Sequence, residues 1–141
     1  MSKRRALFIS LSVAYLAVLL RITVFRDGCF DHGLLSGRVQ LAPGVSYRRL
    51  IGWRSYGRAA YLFFGNIIAF MPLGIGLAHK RWDFAACALA GLLLSLVIEG
   101  GQYLLGSGLS ETDDLILNAL GAMAGYGVYQ LFLRIKKACE R

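Results

Sequence analysis

Six polar side chains stand inside or at the mouths of long apolar runs: Asn66, Glu99, Gln102, Asp113, Asp114 and Asn118. Through them this chain can do chemistry. Glu99 and Gln102 are three residues apart and Asp114 and Asn118 four apart, so on helices each pair shares a face. A carboxylate in hydrocarbon costs on the order of 3 kcal/mol even on permissive insertion scales, less when it is shallow. Glu99 therefore calls for partners, and Asn66, Gln102, Asn118 and Arg21 are the candidates. Two roles are open to such a cluster: a binding site for a polar ligand, or hydrogen-bonded glue that holds the helices together. Glu99 with Asp113 or Asp114 would make an acid/base pair only if their pKa values were driven apart. Other catalytic patterns are missing, with no His-Glu-x-x-His, no Gly-x-Ser-x-Gly and no phosphate-binding glycine loop. No residue is assigned a catalytic role.

The elements that must position these groups follow from hydropathy. The chain has 141 residues, of which 57% are hydrophobic, and its mean hydropathy is +0.56. Four apolar runs carry the excess: residues 6–25 (interrupted by Arg21), 59–78, 84–105 and 115–133. A helix needs about 20 residues to cross roughly 30 Å of hydrocarbon, and each run approaches that length. The fold expected is all-α, an integral membrane bundle of four transmembrane helices in one domain over residues 1–141. Pro72 removes a backbone donor and is expected to kink the second span. Asn66 and Glu99 each lie roughly 10 Å from the same end of their spans, and Asn118 is similarly shallow. Small residues continue the polar faces inward: Gly65, Ala69 and Gly76 on the second span, Cys87, Gly91 and Ser95 on the third, Gly121 and Gly125 on the fourth. Such stripes let helices approach closely. Thr112 is expected to cap the fourth span, with Asp113 turned to solvent at the helix start and Asp114 turned to the site.

A net charge of +8 would suggest nucleic acid in a soluble protein. Here every cation except Arg21 lies outside the spans, so the charges read as topogenic, and no nucleic-acid motif is present. Lys3, Lys80, Lys136 and Lys137 all fall on one side if the N-terminus is cytoplasmic, and the 106–114 loop on the other side carries only acids. Both termini are therefore expected in the cytoplasm of a multi-pass cell-membrane protein. Lys3-Arg4-Arg5 and the apolar run after it are expected to form an uncleaved first span rather than a signal peptide, because no small-residue cleavage site follows. The long first extracytoplasmic loop, residues 27–58, leads into a stretch from Tyr47 to Tyr61 that mixes arginines with Trp53 and Tyr56. That mixture either anchors the chain at the interface or binds an anionic headgroup. Cys29, Cys87 and Cys139 lie at three depths, and His32 and His79 on opposite sides, so no disulfide, metal or cofactor is expected.

Three segments in order resemble the VanZ-like family of membrane proteins. They are Gly65-Asn66-Ile67-Ile68-Ala69-Phe70-Met71-Pro72-Leu73-Gly74, then Ser95-Leu96-Val97-Ile98-Glu99-Gly100-Gly101-Gln102, then Asp113-Asp114-Leu115-Ile116-Leu117-Asn118-Ala119-Leu120-Gly121 followed by Gly125-Tyr126. Leu41-Ala42-Pro43 extends the likeness, which runs from about Leu41 to Leu133. It departs at Gly44, where the family often has an aromatic residue, and at Gly108, where it often has Arg. The resemblance implies a bacterial cell-envelope protein, whose namesake is associated with resistance to teicoplanin-type glycopeptide antibiotics.

The leading expectation is a non-enzymatic envelope protein. Its outer-leaflet polar site, built from Asn66, Glu99, Gln102, Asp114 and Asn118 with Pro72, Asp113 and Arg21 in support, engages a membrane lipid, a lipid-linked envelope ligand or a glycopeptide. One alternative is an intramembrane enzyme acting on a lipid headgroup. Another is a helper subunit packed against a membrane protein partner. The orientation is testable first. Reporter fusions after Lys80 and after Arg141 should both give a cytoplasmic signal, and an external signal from either reverses it.

Overall fold

The computed structural model describes residues 2–25 and 33–140. Arg26, Asp27, Cys29 and His32 of the first loop lie outside the described residues. In chain order the elements are α1 (Lys3–Thr23), β1 (Arg38–Gln40), α2 (Val45–Gly52), α3 (Tyr56–His79), α4 (Phe84–Leu105), β2 (Leu109–Glu111) and α5 (Thr112–Cys139). All the helices but α2 are long and apolar enough to cross a membrane, so the expected four-span architecture is present. The last span is longer than hydropathy alone marks, since α5 begins on its acids and ends past its lysines. Helix α2 and the two-stranded β1–β2 sheet are additions that the apolar pattern does not announce.

These surfaces suit lipid rather than water. Val13 is 60% exposed, Val97 67% and Phe132 59%, whereas Ser95 is fully buried and Asn118 only 3% exposed. Apolar side chains facing out and polar ones facing in is the arrangement that hydrocarbon solvent demands. Within α1, Ser12 and Thr23 satisfy their hydroxyls on carbonyls one turn back, Phe8 at 2.9 Å and Leu19 at 2.7 Å. This is a multi-pass membrane protein.

Two compact units share the chain, with one boundary inside α4. The first unit holds Met1–Val39 and Ile98–Ser110. In it the end of α1 meets the end of α4, where Gly101 leaves room for Val24, whose Cγ1 a Cβ there would meet at 3.2 Å. After α1 the chain returns along the last turn of α4, the N–H groups of Leu35 and Gly37 donating to the carbonyls of Leu104 (2.8 Å) and Tyr103 (3.1 Å).

The second unit holds Gln40–Val97 and Glu111–Arg141. Its contacts fix the direction of each helix. Ile67 lies against Gly121, Met71 against Gly125 and His79 against Tyr129, so α3 and α5 run parallel. Phe84 meets Tyr126, Gly91 meets Ala122 and Ser95 meets Asn118, so α4 runs antiparallel to α5. Alternate spans of a chain that crosses a membrane repeatedly must be related in this way.

The α3–α5 contact is backbone on backbone. A Cβ on Gly74 would fall on the carbonyl of Ala122, one on Gly121 on the carbonyl of Ile67, and one on Gly125 on the carbonyl of Met71. The expected α5 stripe is therefore in place, but the α3 stripe is not where small-residue spacing puts it. Gly65 faces open space, and the buried face of α3 runs through Phe70, Gly74 and Ala78. Glycines at four-residue spacing permit close approach without fixing which rotation of the helix uses them.

Both α2 and α3 end in the same doubly bonded turn. After α3 the N–H of Trp82 donates to Leu77 (3.1 Å) and that of Arg81 to Ala78 (3.0 Å); after α2 the N–H of Ser55 donates to Leu50 (2.8 Å) and that of Arg54 to Ile51 (2.9 Å). The left-handed position in each turn holds an arginine, Arg81 at φ 67° and Arg54 at φ 55°, where glycine would avoid a penalty of about 1–2 kcal/mol.

The glycine geometry makes a direct prediction. Gly125→Ala should cost on the order of 1–3 kcal/mol by forcing α3 and α5 apart, whereas Gly65→Ala should be neutral or stabilising. Thermal unfolding of the two variants in detergent checks this, and equal losses would contradict the packing.

Candidate functional site

The densest polar assembly of the second unit surrounds the start of α5, where Glu111-Thr112-Asp113-Asp114 meets the segment before and within α2. Thr112 opens the helix rather than capping it. The N-cap position belongs to Glu111, and the Thr112 hydroxyl donates outward to the carbonyl of Leu41 at 3.0 Å. This corrects the expected cap: a hydroxyl one position inside the helix points away from its free N–H groups and finds a loop carbonyl instead.

Asp113 does not turn to solvent as expected, and Asp114 turns to Asn66. Asp113 is buried, 9% exposed, and both its carboxylate oxygens accept the N–H of Gly44, at 2.8 and 2.9 Å. It faces inward because that N–H has no other partner where the chain turns left-handed, at φ 73°, to start α2. Gly44 is required there, which gives a physical reason for glycine where an aromatic residue is frequent. Asp114 is half-buried, and its Oδ1 accepts from Asn66 Nδ2 at 2.6 Å. Glu111 accepts from the hydroxyl of Ser46. Each carboxylate thus holds a different piece of the chain: α2, the turn before it, or α3.

Asn118 lies one turn further along α5 and reaches a different helix. Its Nδ2 donates to Ser95 Oγ of α4 at 2.8 Å, and its Oδ1 is buried with no hydrogen-bond partner among the described residues. Ser95, expected only as a small residue, is thereby a polar partner. Glu99 and Gln102 belong to the first unit. Glu99 is 7% exposed, and its main-chain carbonyl accepts from Ser110 Oγ at 2.8 Å. Gln102, equally buried, donates from Nε2 to the carbonyl of Thr23 at 3.2 Å. Arg21 donates to the carbonyl of Phe25 at 2.6 Å, and Pro72 sits inside α3 without ending it. Of the expected cluster, then, the second unit joins Asn66 directly to Asp114 and sends Asn118 to Ser95. Among the described residues no group of histidines, cysteines and carboxylates is arranged to hold a metal.

Tyr47 is a member that the residue pattern left among the interfacial aromatics. Burial first, then the charges of Asp114, Asp113 and Glu111, push its phenol from 10 up to about 12. It lines a cleft of about 320 Å³ with Phe63, Asp113, Ile116 and Leu117, apolar along its walls and acidic at one end. A second cleft, of about 210 Å³, is lined by Ser46, Arg49, Leu50 and Trp53 of the α2 segment with Arg58 and Leu62 of α3 and Glu111. Residues 46, 49, 50 and 53 follow the spacing of one helix face, which was the available signal for α2.

The family model for VanZ/LLP1 matches residues 7–133, nearly the whole chain. The chain belongs to the VanZ-like family. No curated protein and no solved structure matches it. In this VanZ-like protein the motif segments meet one another. Leu41 receives the Thr112 hydroxyl, Asn66 pairs with Asp114, and Ser95 pairs with Asn118.

The Tyr47 environment can be measured. A folded-state pKa above the unfolded one means the neutral phenol contributes its full stability below pH 10 and loses it as pH rises through about 12. Ultraviolet titration of Tyr47→Phe should show one phenol fewer ionising near pH 12, and the phenol so lost should move lower in Asp114→Asn. A Tyr47 that titrates near 10 would mean that it is neither buried nor faced by the carboxylates.

Proposed function

We propose that this VanZ-like protein binds an anionic, lipid-linked envelope ligand at the α2 end of the second unit, in the outer leaflet of the cell membrane. The observation that carries the reading is the pair of clefts beside α2. One offers apolar walls from Phe63, Ile116 and Leu117, suited to a hydrocarbon or isoprenoid chain. The other offers the guanidinium groups of Arg49 and Arg58, suited to phosphate. Asp113 and Glu111 hold α2 and its flanking turn in place between the two clefts and Asp114 holds α3, so their part is to position the site. The gathering of lysines on the other side of the spans supports the outward orientation. Any role in resistance to teicoplanin-type glycopeptides rests on family membership and follows from occupancy of this site.

Farnesyl phosphate, an apolar chain ending in phosphate, tests the proposal against farnesol, which lacks the anion. The purified protein should prefer the phosphate, and Arg49→Gln with Arg58→Gln should abolish that preference, a loss of about tenfold or more for two charge-assisted contacts. Phe63→Ala should weaken both ligands alike. Equal binding of the two ligands by the native protein would overturn the reading.

A further inference from the structure

A separate cleft, of about 550 Å³, opens where α3 turns into α4. It is lined by His79, Arg81, Trp82 and Asp83 on that turn and by Tyr126, Tyr129 and Gln130 of α5. We propose that this cleft binds the phosphate group of an anionic ligand, with Arg81 as its charged contact and Trp82, Tyr126 and Tyr129 as its walls. The proposal is independent of the α2 site.

Arg81 holds the left-handed position of the turn, φ 67°, which glycine occupies without strain. Its charge is not needed to complete the helix end. A cation near a helix C-terminus is favourable, and Lys80 supplies one with an ordinary negative φ of −86°. What the strained position achieves is an arginine on the wall of the cleft. Arg54 carries the same strain after α2 and lines neither cleft there, so it is the cavity together with the strain that singles out Arg81.

The neighbours leave that guanidinium available. Asp83, two residues on, spends Oδ1 on the N–H of Ala86 at 2.7 Å, capping α4. Among the described residues no carboxylate pairs with Arg81. The walls are held by contacts of their own: Tyr129 OH lies 3.0 Å from His79 Nδ1, and Tyr126 packs edge-on to Phe84 with ring centroids 5.8 Å apart. Trp82 remains 47% exposed. Tryptophan and tyrosine around a cation at the end of a membrane helix match the headgroup layer, where phosphate esters are the abundant anions. The volume falls within the range of small-molecule sites and admits a glycerophosphate headgroup.

Arg81→Gly is the discriminating variant, because it removes the charge and relieves the backbone at once. In phosphatidylcholine nanodiscs doped with phosphatidylglycerol, native mass spectrometry should find the anionic lipid retained by the wild type. Arg81→Gly should retain about tenfold less, with a thermal midpoint no lower than wild type. Lys137→Gln, which removes a charge from the exposed end of α5, should retain it normally. Retention by Arg81→Gly equal to wild type overturns the proposal, and so does an equal loss in Lys137→Gln, which would mean diffuse charge attraction. Competition by soluble glycerol phosphate tells the source: displacement of the lipid supports the cleft as a phosphate site open to water, and lack of displacement supports a lipid headgroup as its ligand.

Discussion

The direct backbone contact between α3 and α5 is the constraint on which the rest of the second unit depends. Lipid offers no hydrophobic drive to bring helices together, so close approach must come from small residues and from polar groups with nowhere else to go. Gly74, Gly121 and Gly125 bring the two helices together until each touches the other's carbonyls. Only at that separation does the short side chain of Asn66 reach Asp114, and the same close packing, at Gly91, sets α4 near enough for Ser95 to meet Asn118. Packing and polar pairing are one arrangement seen at two heights of the bundle.

Above that bundle the acids do mechanical work. In a chain of +8 net charge, three carboxylates side by side at the start of α5 invite a catalytic reading. Their partners are instead a backbone N–H, a serine hydroxyl and a side-chain amide, each from a different preceding segment. Helix α2 is thereby held against the spans although it is too short to be stable alone and buries none of its residues. The clefts on either side of it exist because it is held.

The spans were legible because hydropathy is a bulk property: residues 84–105 were read to the residue, and α3 exceeds its reading by a few residues only. The pairing of polar positions was legible in part. Depth put Asn66 level with the start of α5, and helical spacing put Asp114 and Asn118 on one face. Their partners were not legible, because a rotation of α3 that spacing leaves free decides whether Gly65 or Gly74 meets α5. The choice between Asp113 and Asp114 turned on a single N–H of a left-handed glycine, a feature with no signature outside the turn itself. Helix α2 is not legible because an eight-residue amphipathic segment with two arginines reads equally well as an interfacial loop.

The bond between Gly44 and Asp113 spans 69 residues of sequence. A ribosome delivers Gly44 to the membrane long before Asp113 exists, with two complete crossings still to be made between them. During that interval α2 has α3 to pack against, Tyr47 meeting Phe63 edge-on, but the turn before it lacks the carboxylate that receives its N–H. The carboxylate contacts that complete the docking of α2 therefore wait on the last span. The clefts beside it take walls from Glu111, Asp113, Ile116 and Leu117, so they close only once the last span is in place.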